Sequence, residues 1–172
     1  LSDLAVASRF IFLNRTCFNG MYRVNSKGRF NVPYGKYTNP LICDEDNLKK
    51  VSKALQGIEI KHQDYKEVLK KAKNGDFVYF DPPYYPVSKT ASFTSYTAES
   101  FLDKQQIELR DTVLELHKRG CYVMLSNSDT PFINKIYSGF KGIRINKVEA
   151  GRAINSKGSG RGKITEVLIT NY

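Results

Sequence analysis

The chain has 172 residues, a length that suits one domain, or one domain with a small insert. With 41% hydrophobic, 12% aromatic and 26% charged residues it can bury a core, which excludes a disordered tail. The 27 Lys and Arg against 17 Asp and Glu leave a formal charge of +10, and no apolar run reaches the roughly 18 residues of a membrane-spanning helix. The first residues lack the basic segment and apolar stretch of a secretory leader, so none is expected. Cys17, Cys43 and Cys121 lie far apart with no CxxC pair, which argues against a disulfide framework and for a reducing, cytoplasmic setting. With His62 and His117 the only histidines, no metal site is expected.

In chain order, residues 2–14 read as a helix that Ser2 can cap. Between Leu4 and Ile42 there is no Asp or Glu, while Arg9, Arg15, Arg23, Lys27, Arg29 and Lys36 alternate with phenylalanines and tyrosines. A one-signed segment with interleaved aromatic rings suits a polyanion with stackable bases. Asn25-Ser26-Lys27-Gly28 reads as a hairpin turn. A helix is expected from Asp44 to Gly57, with Leu48, Val51 and Leu55 on one face. Then the chain alternates: a strand at Ile58–Ile60, a helix at Tyr65–Lys73, and an apolar strand at Phe77–Phe80 running into Asp81-Pro82-Pro83-Tyr84. A loop to about Ser100, a helix from Asp103 to Arg119 and a buried strand at Cys121–Leu125 follow. Thr130-Pro131 opens another helix. Strands at Ile143–Val148 and Ile164–Thr170 close the chain, joined by a Gly/Ser/Lys loop that reads as a basic hairpin touching phosphate. The rhythm is that of an α/β protein whose parallel sheet ends in an antiparallel hairpin.

Asp81-Pro82-Pro83-Tyr84 sits where open α/β sheets place their sites, directly after a strand. Prolines have no N–H, so the backbone there offers carbonyl acceptors, with the Asp81 carboxylate beside them. A planar exocyclic amine can donate one hydrogen to Asp81 and one to the Pro82 carbonyl. Such an amine is a poor nucleophile, because its lone pair is delocalised into the ring. Accepting both hydrogens pulls the nitrogen toward a tetrahedral shape and aims the lone pair at an electrophile. Tyr84 can stack on a base that has left its duplex.

The segment FVYFDPPYYPVSKTASFTSY, with YVMLSNSD further on, resembles the Dam-type DNA adenine-N6 methyltransferases, and LNRTCFNGMYRVNSKGRFNVPYGKY resembles their target-recognition hairpin. The likeness runs from about Ala7 to Tyr172. It implies a class I, Rossmann-like methyltransferase sheet, with residues 1–56 as the target-recognition region and residues 57–172 as the catalytic α/β portion. The implied reaction is methyl transfer from S-adenosylmethionine to a flipped adenine of double-stranded DNA, within GATC, by a monomer. Asp81, Pro82 and Tyr84 take the catalytic roles, and Asp64, Tyr65 and Asp81 the cofactor contacts. Arg23 matches the arginine that reads a guanine, and Phe18 an aromatic wedge. Met21 stands where the family has leucine, beside Asn19. Pro33 and Tyr37 match base-region contacts, and Arg15, Asn25, Asn31 and Lys36 phosphate-region positions.

The likeness stops at the front, since no strand–GxG–helix unit for the cofactor's methionine end occurs in these residues. The chain is therefore expected to be the C-terminal portion of a longer enzyme. The alternative is an inactive DNA-binding fragment or one half of a split methyltransferase. Cytosine-N4 and glutamine-amide transfer fit less well, since those enzymes carry Ser or Asn where Asp81 stands. Cytosine-C5 transfer needs a Pro-Cys nucleophile, and no cysteine here follows a proline. His117 is expected at the surface.

Overall fold

The computed structural model describes residues 1–87, 101–152 and 162–172, which fall into two units, Leu1–His62 and Gln63–Tyr172. The loop that joins the last two strands and the stretch from residue 88 to 100 lie outside the described residues.

In the first unit, helix α1 (Asp3–Thr16) starts where the Ser2 hydroxyl accepts from the Ala5 amide. A 3-10 turn at Phe18–Gly20 follows, and the chain then doubles back through two isolated antiparallel bridges, Cys17 to Tyr34 and Val24 to Phe30. At the tip Gly28 takes a φ of +70°, and the Asn25 and Arg29 main chains are hydrogen-bonded at 2.9 Å. Phe10, Tyr22 and Phe30 make a row of tilted rings 5.4 and 5.8 Å apart. Gly35 is needed for another reason: a Cβ there would lie 2.7 Å from the Cys17 carbonyl oxygen. Helix α2 (Glu45–Ala54) is capped by Asp44, and its Leu48, Val51 and Leu55 are exposed. The expected strand at Ile58–Ile60 does not form. Both isoleucines are exposed and the segment forms no strand pairing with the other described residues, so it has no ladder to belong to.

The second unit opens with a 3-10 turn, Tyr65–Glu67, and the short helix α3 (Val68–Lys71). Strand β1 (Phe77–Phe80), helix α4 (Asp103–Lys118), strand β2 (Tyr122–Ser128) and helix α5 (Pro131–Tyr137) follow. Strands β3 (Arg144–Arg152) and β4 (Gly162–Thr170) complete the described elements. Among the described residues the strand order is β1-β2-β4-β3, with β1 and β2 parallel and the other pairs antiparallel. The sheet is therefore mixed, with one parallel pair.

Period-two alternation decides the faces. Val123, Leu125, Val167 and Ile169 pack with Leu109, Val113 and Leu116 of α4 and with Ile133, Ile136 and Tyr137 of α5. Phe77, Tyr79 and Tyr122 are exposed, and the rings of Phe77 and Tyr122 meet that of Tyr172 edge-on. Strand β2 runs three residues past Leu125, because Ser126, Asn127 and Ser128 continue the pairing with β4. His117 is half-buried rather than a surface residue: its Nδ1 lies 3.0 Å from the Asn171 amide nitrogen, which also donates to the Cys121 carbonyl.

Candidate active site

The same alternation that sends Phe80 into the core turns Tyr79 and Asp81 to the other face. The parallel register pairs Phe80 with Leu125, so the next residues, Asp81 and Ser126, come side by side. The Ser126 hydroxyl donates to Asp81 Oδ1 at 2.8 Å, and the Tyr79 hydroxyl donates to Ser126 Oγ at 3.1 Å. Asp81 itself is exposed while Ser126 is buried.

The rest of the turn is held from inside. Gln106 of α4 donates to the Pro83 carbonyl at 3.0 Å and accepts from the Asn127 amide at 3.0 Å. Asn127 Oδ1 in turn accepts from the Tyr85 and Ser128 amides, each at 2.9 Å. Both amide side chains are 0% exposed, so this is a buried polar network with its groups paired. Pro83 thus has its carbonyl engaged inward. Among the described residues no donor reaches the Pro82 carbonyl, which leaves it available next to Asp81. Tyr84 is half-buried, with its hydroxyl 3.3 Å from Glu166 Oε2 of β4. Burial pushes its phenol above the ordinary tyrosine value against the opposing effect of a hydrogen bond with Ser126, and the nearby Glu166 and Asp81 charges add to the rise. Tyr85 stacks on Phe132 at 4.5 Å between centroids.

A cleft of about 790 Å³ opens beside this turn, lined by Asp64, Tyr65, Phe80, Asp81, Pro82 and Phe101 among others. That volume lies in the usual range of small-molecule sites, about 300–1,000 Å³. Asp64 caps the 3-10 turn, its Oδ1 accepting from the Lys66 amide at 2.8 Å. Tyr65 meets Phe80 and Phe101 edge-on, and its buried hydroxyl has no partner among the described residues. Burial raises that phenol above the ordinary value. Lys66 and Glu108 pair at 2.6 Å on the cleft wall.

The residues expected to meet DNA all lie in the first unit. Arg15, Phe18, Asn19, Arg23, Asn25, Asn31, Pro33, Lys36 and Tyr37 are exposed, and Met21 is half-buried. Arg23 grips Asn31, with Nε to Oδ1 and Nη2 to the carbonyl oxygen both at 2.9 Å. Asn25 Oδ1 caps the turn by accepting from the Lys27 and Arg29 amides. Asn19 sits at φ +54° with its amide donating to the Tyr37 hydroxyl, and Pro33 accepts from the Phe18 amide.

The profile of the D12 class N6 adenine-specific DNA methyltransferases matches residues 2–154. The chain belongs to this family. It is 47% identical over 174 residues to a Type II methyltransferase of Lactococcus lactis subsp. cremoris, M1.LlaDCHI, covering all of this chain and 60% of that protein. To the Type II methyltransferase M.MjaIII of Methanocaldococcus jannaschii it is 53% identical over 167 residues, 96% of this chain and 57% of the relative. It is 36% identical over 159 residues to the DNA adenine methylase of Escherichia coli strain K12, 92% of this chain and 56% of that enzyme. The chain thus spans less than two thirds of the length of these relatives.

D12-class methyltransferases are S-adenosylmethionine-dependent. The cleft suits the adenosyl end of that molecule: aromatic side chains for a planar ring, and the Asp64 and Asp81 carboxylates for its donors. From the sequence no role falls to Gln106 or Glu166, nor to Ser126 and Asn127 beyond their place in YVMLSNSD. One signal was available for Gln106, a lone amide in the buried stripe it forms with Leu109, Val113 and Leu116.

Proposed function

We propose that this chain carries the acceptor site and the DNA-reading region of an enzyme that methylates adenine N6 in double-stranded DNA, within GATC. The observation that carries the reading is the pair of acceptors at the end of β1: the Asp81 carboxylate and the Pro82 carbonyl, which no donor among the described residues reaches, on a turn tied down by buried side chains. S-adenosylmethionine, held at its adenine end near Asp64 and Tyr65, supplies an electrophilic methyl group. Asp81 and Pro82 accept the two hydrogens of the adenine amine and turn its lone pair outward, and Tyr84 stacks on the flipped base. After transfer the amine is cationic and sheds a proton readily, so Asp81 acts by orientation and charge.

Arg23 is assigned to a guanine of the site, Phe18 to the wedge, and Met21, Asn19, Pro33 and Tyr37 to the base region. Arg15, Asn25, Asn31 and Lys36 are assigned to phosphates. Residues 1–56 then form the target-recognition region and residues 57–172 the catalytic portion. GATC rests on the likeness of the hairpin run to Dam-type enzymes, and the Type II relatives favour a restriction–modification setting. The reading has the enzyme act as a monomer in the cytoplasm, on DNA of the nucleoid. It leaves the methionine end of the cofactor to a segment outside these residues, supported by the lack of a strand–GxG–helix run. Transfer of tritiated methyl to GATC and scrambled duplexes by the full-length protein tests it. Labelling of the GATC duplex alone is expected; equal labelling of both overturns the specificity, and labelling of neither overturns the activity.

A further inference from the structure

We propose that Ser126 is a positioning residue that fixes Asp81 for methyl transfer, an inference that rests on the catalytic reading of Asp81 given above. Asp81 is exposed, so its short side chain is free to rotate unless something holds it. Ser126 can hold it because its own backbone is held by the sheet. It lies on β2, which is paired with β1 on one side and β4 on the other, and its own ladder partner on β4 is Leu168.

The direction of the bond is fixed too. A serine hydroxyl carries one hydrogen. Since the Tyr79 phenol donates to Ser126 Oγ at 3.1 Å, that oxygen is acceptor on one side and donor on the other. A carboxylate oxygen only accepts, so across the 2.8 Å contact with Asp81 Oδ1 the serine is the donor. One carboxylate oxygen is thereby engaged by the protein, and Oδ2, which has no partner among the described residues, is left to receive the amine hydrogen. Neighbouring Asn127 points to the opposite face and secures the other end of the turn, through the Tyr85 amide and through Gln106 to the Pro83 carbonyl. Two successive residues of β2 thus hold the two ends of one turn. Ser126 acts on the carboxylate and Asn127 on the main chain.

Ser126→Ala in the full-length protein is the test, with steady-state methylation of a GATC duplex as the assay. The variant should fold, because it removes one oxygen and leaves Asp81 Oδ1 and the exposed Tyr79 hydroxyl to water. The expected loss in kcat is about 10- to 100-fold, the size of a lost hydrogen bond to a charged group, with KM for DNA and cofactor within about twofold. Ser126→Thr, which keeps the hydroxyl, should recover most of the rate. In an Asp81→Asn background Ser126→Ala should cost much less than in the wild type, because both act through one group. Wild-type kcat for Ser126→Ala, equal losses for Ala and Thr, or full additivity with Asp81→Asn would each overturn the inference. If Asp81→Ala itself keeps wild-type kcat, the catalytic reading fails and takes the inference with it. If Asp81→Ala is dead while Ser126→Ala is normal, only the inference fails.

Discussion

The turn at residues 81–85 and the hairpin at residues 17–37 are both irregular segments, but they are held in opposite ways. The turn is fixed by side chains distant in sequence: Gln106, Ser126, Asn127 and Glu166 reach it from α4, β2 and β4. The hairpin is fixed by its own neighbours, through Asn25, Asn31, Gly28 and two single bridges, and most of its residues are exposed. A segment held by a buried polar network has little freedom to adjust, which suits chemistry that depends on the aim of one lone pair. A locally tied segment with exposed cations and rings suits a surface that closes on a polyanion.

The contrast predicts different failures. Asp81→Ala in the full-length enzyme should lower kcat by about 10³-fold. Duplex affinity, measured by anisotropy, should stay within a few-fold, since it comes mainly from phosphate and groove contacts. A parallel loss of affinity would erase the distinction between the two regions. Gln106→Leu and Asn127→Leu should each destabilise the fold by about 1–3 kcal/mol, because each leaves buried partners unpaired. The double variant should cost less than the sum, as measured by urea denaturation, since the two share one network.

The two regions also differ in how far the sequence disclosed them. Ser2, Asp44 and Thr130 cap their helices in the structure as polar residues before apolar runs should. The Phe77–Phe80 strand was legible because four apolar residues before Asp-Pro-Pro suit little else. Ile58–Ile60 misled, because β propensity in a three-residue run counts only when a partner strand is in reach. The support of the turn was hidden for a different reason. Ser126 and Asn127 read as polar residues after a strand, and only their pairing with β4 shows that β2 continues through them, past the Phe80–Leu125 pair and beside the turn. The Arg23–Asn31 clamp was equally invisible, being a contact across the hairpin.

In the hairpin the effects should be graded and specific to one kind of contact. Arg23→Ala should cost about 1–3 kcal/mol of discrimination between GATC and scrambled duplexes. Equal losses on both would make Arg23 a phosphate contact or a brace for Asn31. Lys36→Ala should weaken all duplexes alike and reduce the slope of log affinity against log salt by about one. The smallest effect belongs to the rim of the second unit. There, hydrogen bonds from Lys147 and Asn134 hold Asp129 below the ordinary aspartate value. A lowered folded value means stability that is present above the unfolded value and lost as pH falls through the folded one. Lys147→Met should therefore lower the melting temperature slightly at pH 6 and leave it unchanged in strong acid.

The central claim is that the acceptors at Asp81 and Pro82 are built for the exocyclic amine of adenine. It is tested most directly by finding which base carries the label. The full-length protein would be incubated with S-adenosylmethionine labelled in its methyl group and a GATC duplex, and the DNA digested to nucleosides for mass spectrometry. The account predicts label in N6-methyladenine for the wild type, formed about 10³-fold more slowly by Asp81→Ala. Label in N4-methylcytosine, or N6-methyladenine formed at the wild-type rate by Asp81→Ala, would contradict it.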